Sequence, residues 1–224
     1  VSFPSAMTKG FAPAYSGGPG GLAHWGPTTI VEGLDAVSAA TPMWSLRDYA
    51  FTTPIKSLLM GNIGGVFEAA DGSRYVLAAG SVGEVSALLV AVGGIYLLVT
   101  KTANWRLALS SLAGACVAVL FFRNVLGVSA VPALVWTLCS GAMLYACFFM
   151  VTDPVSAPKD RPTQLIYGAF IGVMIVFFRW KSAFAGGVGF AILLGNTVGP
   201  AIEMASKAYQ ASRKKTASNT AKAT

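Results

Sequence analysis

The chain has 224 residues, 54% of them hydrophobic and 11% charged, where a soluble domain carries roughly 25% charged residues. So sparse a charged surface excludes a soluble globule of this length, and the mean hydropathy of +0.63 points to lipid as the solvent. The net charge of +7 does not mark a nucleic-acid binder, because the 16 Lys and Arg lie between apolar runs and form no aromatic-interleaved patch.

The chain opens Val1-Ser2-Phe3-Pro4, with neither an initiator Met nor the basic-then-apolar pattern of a signal peptide, and reads as starting inside a longer protein. Residues 1–81 are rich in Gly, Pro, Ser and Thr, with a Gly-Gly-Pro-Gly-Gly run at 17–21, and predict an irregular extramembrane segment without a long helix. His24 is the only histidine and has no companion ligand, so neither metal binding nor acid-base work is expected of it. Within this segment Pro42 disfavours a helix through Ala40 and Thr41. Taken alone, Ser38 and Thr41 read equally well as ordinary turn hydroxyls.

From Val82 onward the chain is apolar, with runs at 85–100, 107–122, 129–152, 165–178 and 183–205. The fold class expected is an all-α polytopic membrane protein with about five transmembrane helices. A straight span needs about 20 apolar residues; three of the runs are shorter, so short or broken spans are expected. Gly93 with Gly94, Gly168 with Gly172, Gly186 with Gly187, and Gly195 with Gly199 offer small faces for close helix packing. Cys116, Cys139 and Cys147 all lie in apolar runs without CxxC spacing, which indicates small buried hydrophobes and neither a disulfide framework nor a zinc site. Residues 206–224, basic and polar, predict a disordered cytoplasmic tail.

Five crossings divide the cations unevenly. Lys101, Arg106, Lys159, Arg161, Lys207, Arg213, Lys214, Lys215 and Lys222 fall on one side, and Arg123, Arg179 and Lys181 on the other. An excess of nine against three places the C-terminus in the cytoplasm and residues 1–81 on the outer face. Glu84, Asp153 and Glu203 stand at span ends, where a carboxylate either caps a helix or meets an Arg, or else serves a cation or proton route. No nucleophile elbow, phosphate-cradling loop or metal motif is present, so no catalytic residue and no metal site is assigned.

Several passages carry more. Leu34-Asp35-Ala36-Val37-Ser38-Ala39-Ala40-Thr41-Pro42 resembles the Asp-x-x-[Ser/Thr]-Gly-Ala-[Thr/Ser] site at which flavin mononucleotide is esterified to a hydroxyl. Phe148-Phe149-Met150-Val151-Thr152-Asp153-Pro154-Val155-Ser156-Ala157 is similar to a second signature of the same family. Gly80-Ser81-Val82-Gly83-Glu84-Val85-Ser86, with Gly93–Leu98 and Trp105-Arg106 behind it, is similar to a third, and Leu165–Gly172 follows in the same order. The family resembled is the NqrB/RnfD family of membrane proteins from the sodium-pumping NADH:quinone reductase and the Rnf electron-transport complex. The resemblance runs from about residue 30 to 205. Two departures stand out. Ala39 occupies the usual Gly position, and residues 66–79 form an apparent insertion expected to be an outer hairpin or loop.

The resemblance implies a fold like that of urea transporters, divided into a flavin-bearing outer segment at 1–81, a helical bundle at 82–205 and a basic tail at 206–224. It implies FMN held covalently by a phosphoester to Thr41, with Ser38, Asp35 and Ala40 around it, and leaves room for a second flavin such as riboflavin. It further implies a redox subunit of an ion-translocating oxidoreductase complex in the bacterial inner membrane. The partners implied are other membrane and redox subunits, quinone, and Na+ or H+. Glu84 and Asp153 are the candidate ion-linked or structural carboxylates. A flavin-free channel or transporter of the same shape is the alternative, and a scaffold that has lost its flavin is a further one, to which the Ala39 departure belongs.

Overall fold

The structure is a computed structural model and describes residues 41–61, 63, 66–68, 72, 74–76, 85–128, 131–182 and 187–223. It is predominantly helical, as expected, with one small hairpin. Helix α1 (Pro42–Tyr49) and helix α2 (Ile55–Met60) lie within the segment expected to be irregular; each is about two turns or fewer. Strands β1 (Val66–Glu68) and β2 (Arg74–Val76) pair antiparallel with Phe67 opposite Tyr75, as a hairpin would, with Gly72 at φ +80° between the strands.

Helix α3 (Ala87–Val99) is started by Ser86, whose hydroxyl accepts from Leu89 N at 3.3 Å. Its 13 residues are about 20 Å long, short of the roughly 30 Å of a hydrocarbon core. Helix α4 (Trp105–Leu120), capped by Asn104, continues through a π-helical turn at Phe121–Val125. Helix α5 (Leu134–Cys139) stops at Ser140, and the chain resumes as α6 (Met143–Tyr145) with a π-helical turn at Ala146–Met150. The run at 129–152 is thus broken at its Ser140-Gly141 pair. Helix α7 (Arg161–Lys181) and helix α8 (Val188–Ala223) complete the chain.

Among the described residues three segments are long and apolar enough to cross a membrane: Trp105–Val125, Arg161–Lys181 and Val188–Ser212. At 21 residues each, the first two span about 31 Å. The remaining two apolar runs are the short α3 and the broken α5–α6 pair. One expectation is corrected at the C-terminus. The stretch 206–223 continues α8 and is not irregular, because Ala, Lys, Gln and Ser do not interrupt a helix already nucleated upstream. Glu203 supports it through an i,i+4 pair with Lys207 at 2.8 Å.

The core forms where α4 and α7 cross, around Leu107, Ala115, Val119, Ile171 and Ile175, all at most 1% exposed. Gly168 and Gly172 make the crossing close. A Cβ at Gly168 would collide with Ser110 Oγ, and one at Gly172 with Ser111 O. A second, smaller core joins α1 and α2 to α5 through Met43, Leu58, Ile63 and Trp136.

Candidate functional site around the Thr41 helix

Thr41 is the N-cap of α1, in extended backbone at φ −76° and ψ 163°, with Pro42 at the first helical position. Its half-buried hydroxyl accepts a long bond of 3.4 Å from Trp44 N, and its carbonyl accepts from Ser45 N at 2.7 Å. A hydroxyl at the positive end of a helix dipole, with the Trp44 N–H turned toward it, suits an anionic ester better than an apolar group. Asp35, Ser38 and Ala40 lie outside the described residues, as does Glu84.

The α1 helix is fixed at several points. Ser45 Oγ donates to Pro42 O at 3.0 Å and to Phe51 O at 3.3 Å, which closes the helix onto the following loop. Trp136 of α5 donates Nε1 to Thr53 O at 2.9 Å, and Ser140 Oγ donates to Met43 Sδ at 3.2 Å. Arg47 Nη1 donates to Ser182 O at 2.9 Å, just past the end of α7. The α1 helix therefore sits at the end of the bundle that carries Arg179 and Lys181. This is the end to which the charge count assigns residues 1–81 and the fewer cations.

Arg47 also pairs with Asp48 at 2.8 Å. Its hydrogen bond holds the Asp48 carboxyl below the usual carboxylate range. Beside α1 opens a groove of about 460 Å³, lined by Arg47, Arg123, Pro132, Ala133 and Trp136 among others. Two guanidiniums and an indole give it a positive, aromatic wall.

Asp153 stands in the turn after the broken helix. It accepts from Ser156 Oγ at 2.8 Å and from the backbone N–H groups of Val155 and Ser156, each at 3.3 Å. These bonds, that of the Ser156 side chain foremost, lower its pKa. The geometry is that of a carboxylate ordering its own turn. The three cysteines are unbridged, Cys147 buried and the other two half-buried. Among the described residues no three His, Cys, Asp or Glu side chains are grouped as metal ligands.

Sequence reasoning misses Arg179. The charge count treats it as a loop cation, yet it is 6% exposed and donates from Nη1 to Thr137 O at 2.9 Å and from Nη2 to Ser140 O at 3.0 Å. A signal for it exists in the sequence: a cation directly following the apolar Ile-Val-Phe-Phe of 175–178 is expensive unless it has buried partners.

Residues 1–211 match the family described as "NQR2, RnfD, RnfE family". The chain belongs to that family. Its relatives include the D subunit of the ion-translocating oxidoreductase complex of Shewanella amazonensis, 33% identical over 91% of this chain and 58% of the relative. The B subunit of the Na(+)-translocating NADH-quinone reductase of Ectopseudomonas mendocina is 39% identical over 55% of this chain and 32% of its own length. The D subunit of the proton-translocating ferredoxin:NAD(+) oxidoreductase complex of Clostridium ljungdahlii is 28% identical over 86% of this chain and 58% of its own length. The chain thus spans about a third to three-fifths of the length of these members of the NQR2, RnfD, RnfE family.

Proposed function

We propose that this chain is a membrane redox subunit that carries FMN covalently on Thr41 and works within an ion-translocating oxidoreductase complex. Membership of the NQR2, RnfD, RnfE family supports the role in a complex, since the relatives named above are subunits of such complexes. The observation that carries the cofactor is the place of Thr41: the motif hydroxyl is the N-cap of a helix anchored to the bundle. Thr41 would hold the flavin phosphate as an ester. Met43 N and Trp44 N, behind it in the first turn, supply helix-end positive charge, and Arg47 and Arg123 add cationic charge along the adjoining groove.

A flavin bound there supplies single-electron transfer. The protein's own part is placement. The bonds from Trp136, Ser140 and Arg47 keep the Thr41 helix in a fixed relation to the spans. Five crossings with a cytoplasmic C-terminus put this end of the bundle on the outer face. The longer coverage by D-type relatives, 91% and 86% of this chain against 55% to 72% for B-type ones, favours an Rnf-type complex. Quinone, the transported cation, a second flavin and the likeness to urea transporters belong to the same reading.

The test is a denaturing gel of the native complex under ultraviolet light, with mass spectrometry of the Thr41 peptide. A fluorescent band absent from Thr41→Ala, with FMN mass on the wild-type peptide, is the expected result. A native complex with no covalent flavin on this chain would remove the cofactor and leave the transporter or scaffold reading.

A further inference from the structure

Among the described residues Arg179 is the only buried cation. It ends an apolar α7, where a guanidinium is costly to bury and must be matched by acceptors. Its two acceptors are the carbonyls of Thr137 and Ser140, at 2.9 and 3.0 Å. These belong to the end of α5, where helical carbonyls have no intrahelical partner and the dipole is negative. Arg179 thus caps the half-helix that breaks the 129–152 run.

The same break meets the Thr41 helix on its other side. Ser140, fully buried, donates its hydroxyl to Met43 Sδ while its carbonyl accepts from Arg179. Gly141 then turns the chain at φ +58°, and a Cβ there would lie 3.3 Å from Arg179 Nη2 and 3.7 Å from Met43 Cγ. Guanidinium and thioether flank one turn, so the position of either constrains the other.

We propose that Arg179 is a positioning residue: by forking across Thr137 O and Ser140 O it fixes the α5 break on which α1 rests, and so holds the Thr41 hydroxyl in place on the bundle. The consequence for flavin rests on the function proposed above; the positioning itself does not. A Lys ammonium presents a point charge in place of a planar fork and serves two carbonyls poorly, so Arg179→Lys keeps the charge and loses most of the geometry.

The experiment uses the complete complex with Cys116, Cys139 and Cys147 replaced by Ser. Leu46→Cys with Ala133→Cys, which line the same groove between α1 and α5, reports the α1 contact through a bis-methanethiosulfonate cross-linker and leaves Met43 and Ser140 in place. Tyr167→Cys with Asn196→Cys, whose native side chains are 2.6 Å apart, reports the α7–α8 contact as a control. In Arg179→Met the 46–133 yield is expected to fall about tenfold, the equivalent of one charge-assisted hydrogen bond, with the 167–196 yield unchanged. Arg179→Lys is expected to fall between, and carries the comparison if the Met variant does not assemble. Covalent flavin on Thr41, read by in-gel fluorescence in the uncross-linked variants, is expected to fall in the same order. Equal 46–133 yields with Arg, Lys and Met at 179 would overturn the proposal, as would a parallel loss of both pairs, which signals general unfolding. Absence of flavin from every variant, wild type included, would sink the flavin reading alone, and the cross-links would still decide the role of Arg179.

Discussion

At the scale of single residues, polar groups at the α1 end of the fold are spent on positioning that helix. Trp136, Ser140 and Arg47 each bond to a backbone or sulfur acceptor far away in the chain. Thr41, the proposed attachment residue, bonds locally and keeps its hydroxyl at a helix start. The Arg47–Asp48 pair beside it is about one-third exposed, so solvent screens it and its worth is below about 1 kcal/mol. Its sign is nonetheless determined. Because the folded Asp48 pKa is lowered, the contribution is fully present above the unfolded value near ~3.9 and is lost as pH falls through the folded value. Thermal melting in detergent should therefore show Asp48→Asn slightly less stable than wild type at neutral pH, with the difference vanishing under strong acid. A difference that grew on acidification would contradict the assigned direction.

Among the elements, the α4–α7 crossing is the least tolerant feature. Gly172 faces Ser111 O and Ala115 N so closely that a side chain cannot enter without parting the helices. Gly172→Leu is expected to destabilise by ~1–3 kcal/mol or more, the range for overpacking a filled core, seen as a lower melting temperature in detergent. Gly189→Leu makes the control, since nothing lies within 4 Å of its Cβ position; a change within about ±0.5 kcal/mol is expected there. Equal losses at both sites would mean that helix propensity, and not the crossing, sets the cost. The break between α5 and α6 is the opposite kind of element. It gives up helical bonds so that Arg179 and Met43 can meet one turn.

For the whole molecule, the relation of the two ends of the bundle to the membrane decides where the Thr41 segment works. Ala50 lies on the end with Ser182, whereas Lys101, in the loop between α3 and α4, belongs to the cation-rich side. In intact cells a membrane-impermeant maleimide should label Ala50→Cys and leave Lys101→Cys unlabelled until the membrane is opened. The reverse pattern would turn the proposed orientation over and place a flavin on Thr41 at the cytoplasmic face.

The sequence by itself determined what its composition and local motifs encode. Too few charges to cover a soluble fold made lipid the solvent, Pro42 kept Thr41 out of a helix, and the Gly168–Gly172 spacing marked a close helix face. The proposal for Thr41 rests on a pattern of adjacent residues and could be made from sequence, whereas the hold on its helix could not. Trp136 and Ser140 reach Thr53 and Met43 across 83 and 97 residues, and Arg179 reaches its two carbonyls across 42 and 39, and no local pattern encodes such distances. Length and polarity also misread the C-terminus, because a helix nucleated in the apolar stretch propagates through polar residues that would be irregular alone. Tertiary structure alone decided that Arg179 is buried, since a cation's neighbours, and not its place at the end of an apolar run, determine whether it faces water or caps a broken helix.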